Sequence, residues 1–401
     1  MSTWYGDRDG ALAIAAHAGR TDAYAAEWRA AGADPARIDD DAFARLPFLS
    51  KQALIDGCRG SAPYGGRLGV DPVDLTAVFV APGPIYMPYT ADDLERLFTA
   101  SGRAFRSCGL GPGDVVDNCV NYHWTLGGAL IEGGLRRAGC TVVPGGIGNS
   151  DLHLETIAGL GVTGIVAFPS FLEHLLGLAA ERGLELPLRR AAVSGEVRRS
   201  DFRATLERDH GILVRERYGV SEVGTVAYEC PAADGMHLRD DLLFETLDPE
   251  TGEAVELDAP GLKELVVTDP SRLAMPIVRL RTGDLAEALV TEPCACGRTA
   301  PRLRRIVGRT GLIPRVKGMF VVPRHVQDVL AGANLHLRHQ LRIEQPDGRD
   351  RLTILIEDRD GADLEALRPA FDAALRMRVE IERVEQLPDD APVVDDRRVV
   401  T

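Results

Sequence analysis

The chain has 401 residues, 45% hydrophobic and 26% charged, and this composition excludes an intrinsically disordered protein. Its net charge of −14 makes nucleic acid and anionic membranes poor partners, and no apolar run is long enough for a membrane span. The start lacks the basic and apolar blocks of a secretion signal, and seven cysteines are too few for a disulfide scaffold, so we expect a cytoplasmic protein.

The first 60 residues are predicted to be helical, because Leu12, Ile14, Trp28 and other apolar residues recur at helical spacing. Strands and helices then alternate between residues 94 and 217. The predicted strands are Asp114–Asn118, Thr141–Pro144, Gly164–Phe168, Arg190–Val193 and Leu213–Arg217, and the predicted helices are Leu94–Arg106, Thr125–Ala138, Asp151–Leu160, Phe171–Arg182 and Asp201–Asp209. This alternation favours right-handed β-α-β units and a mostly parallel sheet.

After Tyr218 the pattern changes to short β-type runs at Leu242–Leu247, Gly261–Thr268 and Ile277–Arg281, which predict a small antiparallel sheet or barrel. A last unit is predicted to contain the helices Val322–Ala331 and Asp363–Leu375 and the strands Gln340–Glu344, Leu352–Glu357 and Val379–Val384. The sequence therefore predicts an α/β fold with two domains. A large N-terminal domain with a small β-barrel-like part covers 1–308, and a small α+β domain covers 312–401, with the linker near Gly308–Gly311.

The most informative local run is Tyr218-Gly-Val-Ser-Glu-Val-Gly224, which follows a predicted strand. Open α/β sheets bind ligands at the carboxyl ends of their parallel strands. In such a turn an aromatic ring can stack on a base, a serine hydroxyl can bond a phosphoryl oxygen, and a glutamate can hold magnesium. The alternative is an ordinary strand-to-loop turn.

Several further runs occur with this motif in a fixed order along the chain. They are Pro47–Lys51, Gly111–Asp114, Phe168–Ser170, Ser194–Glu196, Glu229–His237, Arg279–Asp284, Cys294–Thr299 and Gly308–Pro323. Over nearly the whole chain these motifs resemble the phenylacetate–CoA ligase family of the adenylate-forming superfamily, the acyl-CoA synthetases and their relatives.

The resemblance implies an enzyme that forms an acyl adenylate from a carboxylate and ATP and then passes the acyl group to coenzyme A. It implies nucleotide contacts by Glu196, Tyr218, Ser221, Asp284 and Arg309, and a magnesium contact by Glu222. It implies an acyl pocket formed by Tyr122, His123, Trp124, Gly127, Gly128, Phe168, Pro169 and Ser170. For these pocket residues core packing is the alternative, and His123 is either a catalytic base or a structural histidine.

Two departures from the family pattern concern the groups that handle phosphate. The family's Ser-, Thr- and Gly-rich loop is replaced by Val80–Thr90, in which three prolines remove N–H donors and there is no lysine. No lysine follows Lys317, whereas the family carries one near the C-terminus, and arginine is a poor substitute at a crowded site. The usually acidic hinge position is Gly311. Because loss of one electrostatic stabiliser can cost about 10²–10³ in rate, the sequence argues against ATP activation and against ATP and magnesium as cofactors.

Cys230, His237, Cys294 and Cys296 form a candidate zinc site, since a Cys-x-Cys-Gly run and a Cys-x6-His run supply four soft ligands. A closed set of three cysteines and one histidine is typical of a structural zinc ion rather than a catalytic one. The alternative is that these are free thiols in a reducing compartment.

Three functional hypotheses remain open. The first is an ATP-independent enzyme that takes an acyl thioester of coenzyme A or of phosphopantetheine on an acyl carrier protein. The second is a conventional acid–thiol ligase with a remodelled phosphate site. The third is a non-catalytic binding or scaffold protein. In each case the expected partners are a small acyl molecule or a carrier protein, and a homodimer stays open.

Overall fold

The computed structural model describes residues 3–60, 63–196, 202–249, 251–261, 263–286, 289–310, 314–317, 319–321, 323–335, 337–359, 361–375, 377–388 and 391–398. The chain divides into two compact units, the first made of residues 1–194 and 201–310, and the second of 195–200 and 311–401. Among the described residues no helix combines the length and the hydropathy that a membrane span requires.

The helices of the first unit begin with four short N-terminal ones, as predicted, and continue with those that alternate with strands. They are α1 (Arg8–Ala18), α2 (Asp22–Ala30), α3 (Asp40–Arg45), α4 (Lys51–Arg59), α5 (Ala91–Ser107), α6 (Leu126–Ala138), α7 (Ser150–Leu160), α8 (Pro169–Glu181) and α9 (Phe202–His210). Local capping explains several starts: Ser50 caps α4 by accepting from Ala53, and Thr90 and Asp93 form a capping box at α5.

The largest sheet has eight strands and confirms the predicted β-α-β organisation. Its strands are β4 (Val115–Asn118), β5 (Thr141–Val143), β6 (Gly164–Ala167), β7 (Arg190–Val193), β8 (Leu213–Val220), β9 (Gly224–Glu229), β10 (Met236–Leu238) and β14 (Arg302–Leu303). Their order is β14-β10-β9-β8-β7-β6-β4-β5, and the five strands from β8 to β5 are parallel. All four residues of β6 are buried, as expected for a strand covered by helices on both faces.

A second, antiparallel sheet has five strands in the order β1-β11-β12-β13-β15. They are β1 (Trp4–Gly6), β11 (Leu243–Leu247), β12 (Lys263–Asp269), β13 (Ile277–Ala286) and β15 (Ile306–Arg309). The sequence predicted a barrel-like part here, but among the described strands β1 and β15 are open edges and no barrel closure is found. β13 is longer than predicted and carries Asp284 near its end.

A two-stranded hairpin, β2 (Leu75–Ala81) and β3 (Ile85–Thr90), contains the segment Val80–Thr90 that the sequence analysis compared with the family's phosphate loop. The strands pair from Leu75 with Thr90 up to Ala81 with Ile85, so the connecting turn contains only Pro82, Gly83 and Pro84. The segment that the sequence suggested as an altered loop is therefore mostly strand. A backbone hydrogen bond connects the hairpin to the segment before α6, because the Val80 N–H donates to the Trp124 carbonyl at 2.8 Å.

The second unit contains a four-stranded sheet in the order β20-β19-β18-β21 and a small hairpin, β16 (Arg315–Val316) with β17 (Met319–Phe320). The remaining elements are α10 (Pro323–Gly332), β18 (His339–Glu344), β19 (Arg351–Glu357), α11 (Arg368–Leu375), β20 (Glu380–Val384) and β21 (Val394–Asp396). β21, in the lysine-free tail, was not predicted. It pairs in parallel with β18, and Arg398 just beyond it forms ion pairs with Asp396 and Asp350. Arg398 is thus already paired within its own unit.

Candidate active site

The predicted Tyr218–Glu222 turn begins later than the sequence indicated. Strand β8 continues through Tyr218 to Val220 and pairs antiparallel with β9, so the turn consists of Ser221, Glu222 and Val223. Tyr218 and Val220 extend the strand because their side chains are buried and the β9 backbone satisfies their hydrogen bonds. The turn still lies at the carboxyl end of a parallel strand, where open sheets bind ligands.

Tyr218, Asp284 and Arg309 form one hydrogen-bonded cluster. The Tyr218 hydroxyl donates to Asp284 Oδ2 at 2.6 Å, and Arg309 Nε donates to Asp284 Oδ1 at 2.5 Å. Asp284 and Arg309 are paired residues of β13 and β15, which places them side by side. Burial, and then the Asp284 carboxylate, raise the pKa of Tyr218 well above its ordinary value, so Tyr218 stays a hydroxyl donor.

Glu222 has a cation beside it that the sequence analysis did not assign. The Glu222 side chain is only 2% exposed, and Lys51 Nζ lies 3.4 Å from its Oε2. Lys51 is held there because Leu49, two residues earlier, exchanges backbone hydrogen bonds with Arg279 and Arg281 of β13. The sequence did draw attention to Lys51, because it is one of three lysines in the chain and ends a motif that carried the family resemblance.

Arg272 connects this turn to the β2–β3 hairpin. Its guanidinium donates to the Glu222 carbonyl at 3.2 Å and to the Pro88 carbonyl at 3.1 Å, and it lies 3.5 Å from the ring centroid of Tyr89. The Ser221 hydroxyl makes no hydrogen bond with a described residue and is half-buried. Ser221 can therefore accept a new partner without breaking an existing bond.

The residues predicted for the acyl pocket leave the sheet at the same edge, because β4 and β6 are parallel neighbours. Asn118 donates to the Tyr122 hydroxyl at 2.7 Å, and burial raises the pKa of Tyr122. Trp124 is 73% exposed and has a positive φ of 63°, and the imidazole of His123 is exposed and makes no hydrogen bond with a described residue. None of the described residues is therefore placed to activate His123 as a base.

The other residues predicted for the acyl pocket lie at the starts of two helices. They are Gly127, Gly128, Phe168, Pro169 and Ser170. The glycines lie in the first turn of α6, while Phe168 caps α8, Pro169 is its buried first residue, and Ser170 is exposed. Glu196 follows β7 in the segment that groups with the second unit. Its role beside an adenine, like the pocket role of these residues, stays a prediction.

Gly128 is needed because Tyr122 packs directly against it. A Cβ at position 128 would lie 2.7 Å from Tyr122 Cγ, so we expect Gly128→Ala to lower the free energy of unfolding by about 1–3 kcal/mol. Gly177→Ala in α8 is the control, since a Cβ there meets nothing within 4 Å and should stabilise the helix by up to about 1 kcal/mol. Denaturant unfolding of both variants measures the difference, and equal stabilities would contradict the packing.

The Cys/His cluster consists of Cys230, His237, Cys294 and Cys296, whose candidate ligand atoms all lie within 4.8 Å of one another. The Sγ atoms of Cys230 and Cys294 are 3.7 Å apart, and Cys296 Sγ is 3.5 Å from His237 Nε2. Tetrahedral zinc with bonds of about 2.3 Å to sulfur and about 2.05 Å to nitrogen requires separations of about 3.8 and about 3.5 Å. These residues therefore fit a zinc ion.

The orientation of His237 and the pKa values of His237 and Cys230 are also consistent with a bound metal ion. His237 Nδ1 lies 3.3 Å from the Ala300 carbonyl, which orients the ring so that Nε2 faces the cysteines. Burial lowers the pKa of His237 and so favours the neutral imidazole that binds metals. Burial raises the pKa of Cys230 to about 11, so a cation is needed to favour its thiolate.

No protein-family model matches the chain. It is 31% identical over 297 residues to the phenylacetate–coenzyme A ligase of Thermus thermophilus, a match that covers 71% of this chain and 65% of that relative. It is 29% identical over 326 residues to the phenylacetate–coenzyme A ligase of Aromatoleum evansii, covering 78% of this chain and 72% of the relative. The chain thus spans less than two thirds of the Thermus protein's length.

A crystal structure of 2-hydroxyisobutyryl-CoA ligase with 2-HIB-AMP and CoA shares the fold with a TM-score of 0.87. The match has 23% identity and covers 98% of this chain and 89% of the solved one. In sequence the chain is thus a homologue of phenylacetate–coenzyme A ligases at about 30% identity, and it has the fold of the solved 2-hydroxyisobutyryl-CoA ligase.

Proposed function

We propose that this chain is an acid–thiol ligase that uses ATP and coenzyme A. The carboxylate attacks the α-phosphorus of ATP and pyrophosphate leaves, and the thiolate of coenzyme A then attacks the adenylate carbonyl and AMP leaves. The relatives named above are acid–thiol ligases, which favours this reaction over an ATP-independent one. The observation that carries the proposal is the intact Tyr218–Asp284–Arg309 cluster.

Asp284 supplies the part of the site that suits a ribose. Its buried carboxylate is fixed by Tyr218 and Arg309, and an ionised carboxylate is a strong acceptor for two neighbouring hydroxyls. The Ser221 hydroxyl, three residues after Tyr218, is the adjacent donor for a phosphate. This arrangement requires little reorganisation on binding, which is how a preorganised polar site lowers a barrier.

Lys51 is a cation that this site offers in place of the family's phosphate-loop and C-terminal lysines. We expect Lys51→Met to lower kcat/KM by about 10²-fold, because it removes a positive charge beside the buried Glu222. Lys51→Arg keeps the charge and should retain a larger share of the activity. Steady-state kinetics of both variants check this, and a fully active Lys51→Met enzyme would show that Lys51 plays no part.

One observation favours a second candidate, an enzyme that takes an acyl thioester without ATP. The turn between β2 and β3 has only three residues, two of them prolines, and it presents at most one backbone N–H. A triphosphate is normally cradled by several such N–H groups. In this second candidate function, the acyl donor is a thioester of coenzyme A or of an acyl carrier protein.

ATP–pyrophosphate exchange separates the two candidates. With a panel of aryl and alkyl acids, the ligase should incorporate labelled pyrophosphate into ATP with at least one acid, and Asp284→Asn should abolish the signal. Absence of exchange with every acid, together with hydrolysis or transfer of an acyl-CoA, would favour the thioester enzyme. Two further parts of the proposal are an acyl pocket that includes Tyr122, Trp124 and Phe168, and a zinc ion at the Cys/His cluster.

A further inference from the structure

A pocket of about 850 Å³ lies beside the Cys/His cluster and is lined by three arginines. Arg103 and Arg106 lie one turn apart in the last part of α5, and Arg298 follows the Cys-x-Cys run. Ser107, Tyr228 and Cys296 complete the polar part of its wall. None of the described residues that line it is acidic, although the whole chain has a net charge of −14.

The arginines keep donors available for a ligand. Arg298 donates to Ser107 Oγ at 2.8 Å, and Arg106 donates to the Arg137 carbonyl at 2.6 Å. Arg103 pairs with Asp241, which is not among the residues that line the pocket. Because each guanidinium has five N–H donors, these contacts orient the groups and leave most of the donors free for an anion.

The basic pocket is separate from the candidate active site. The carbonyl of Pro231, in the pocket wall, accepts from Arg215 near the start of β8, whereas Ser221 and Glu222 follow the end of that strand. Tyr228 of the pocket wall pairs with Arg217, and the four residues of strand from Arg217 to Ser221, at about 3.3 Å each, place the two about 13 Å apart. The pocket therefore lies toward the amino ends of the parallel strands, away from the edge where the acyl and nucleotide residues converge.

We infer that this pocket is a binding site for a small phosphorylated molecule with at least two negative charges. Three guanidinium groups around a concave space match phosphate oxygens, which accept paired N–H bonds. The pocket has the volume of small-molecule sites, which are commonly about 300–1,000 Å³.

Titration calorimetry with inorganic pyrophosphate, without nucleotide and with EDTA, tests the assignment. We expect the Arg106→Gln/Arg298→Gln variant to bind at least about tenfold more weakly, since charge-assisted hydrogen bonds are lost. Arg96→Gln, on α5 but outside the pocket, should bind as the parent does. The single charge reversal Arg106→Glu gives the same test if the double variant unfolds.

Each possible result of these binding measurements either supports or overturns the assignment of the pocket as a phosphate site. Binding that is retained in the pocket variants, or absent from the parent protein, would overturn it. Citrate serves as a carboxylate polyanion, and citrate binding as tight as pyrophosphate binding would overturn the assignment to phosphate. Binding should also weaken as salt is raised, because it depends on exposed charges.

Discussion

Replacing Asp284 with asparagine is expected to lower kcat/KM of the ligase reaction by at least about 10²-fold. The carboxylate is 2% exposed and accepts hydrogen bonds from Tyr218 and Arg309, so an amide removes the only negative charge of this cluster. Charge-assisted hydrogen bonds contribute about 1.5–3 kcal/mol each, and a ribose would use two of them. Adenylate formation measured by pyrophosphate exchange reports the loss directly.

The control for Asp284→Asn is Asp151→Asn, which removes the carboxylate of another arginine pair. Asp151 pairs with Arg182 at 2.5 Å, but its side chain is 73% exposed, and such surface pairs contribute little. Activity and stability should therefore match the parent. Tyr218→Phe, which removes one hydroxyl, should have an intermediate effect. Equal activity of Asp284→Asn and the parent would remove the basis for placing the ribose here.

Removal of zinc is expected to have the largest effect on stability. Purified protein should contain one zinc ion per chain, and Cys230→Ser should lose it and unfold at a markedly lower temperature. The reason is that the Cys/His cluster joins β9, β10 and the Cys-x-Cys run, and structural zinc contributes folding free energy directly. Metal analysis and thermal unfolding with and without a chelator measure both effects.

Cys58→Ser is the matched control for the zinc prediction, because Cys58 is half-buried and lies outside the Cys/His cluster. It should keep its zinc and its unfolding temperature. Protein expressed with added zinc and purified without chelators that holds well under one ion per chain would contradict the metal site. The four residues would then be free thiols and a histidine.

The parts of the fold that follow local sequence patterns could be predicted. Buried strands such as Arg190–Val193 and the alternation of strands with amphipathic helices gave the parallel sheet almost to the residue. The Cys/His cluster was also predictable, since ligand type and spacing are local features, although Cys230 and Cys294 are 64 residues apart in sequence.

Features that depend on long-range pairing could not be predicted. Tyr218 and Gly219 resemble turn residues, but pairing with β9 draws them into a strand. The Pro47–Lys51 motif and the scarcity of lysine draw attention to Lys51, but its position beside Glu222 depends on Leu49 joining β13, more than 200 residues later in the chain, and no local pattern indicates that contact. The short Pro82–Pro84 turn depends likewise on the register of two strands.

The most direct test of the ligase proposal is to incubate the protein with ATP, coenzyme A and a panel of aryl and alkyl carboxylic acids, and to quantify acyl-CoA and nucleotides by chromatography. The account predicts that at least one acid yields acyl-CoA and AMP in a one-to-one ratio, with both products lost in Asp284→Asn. Formation of no AMP with any acid, while the same protein consumes an acyl thioester, would contradict it.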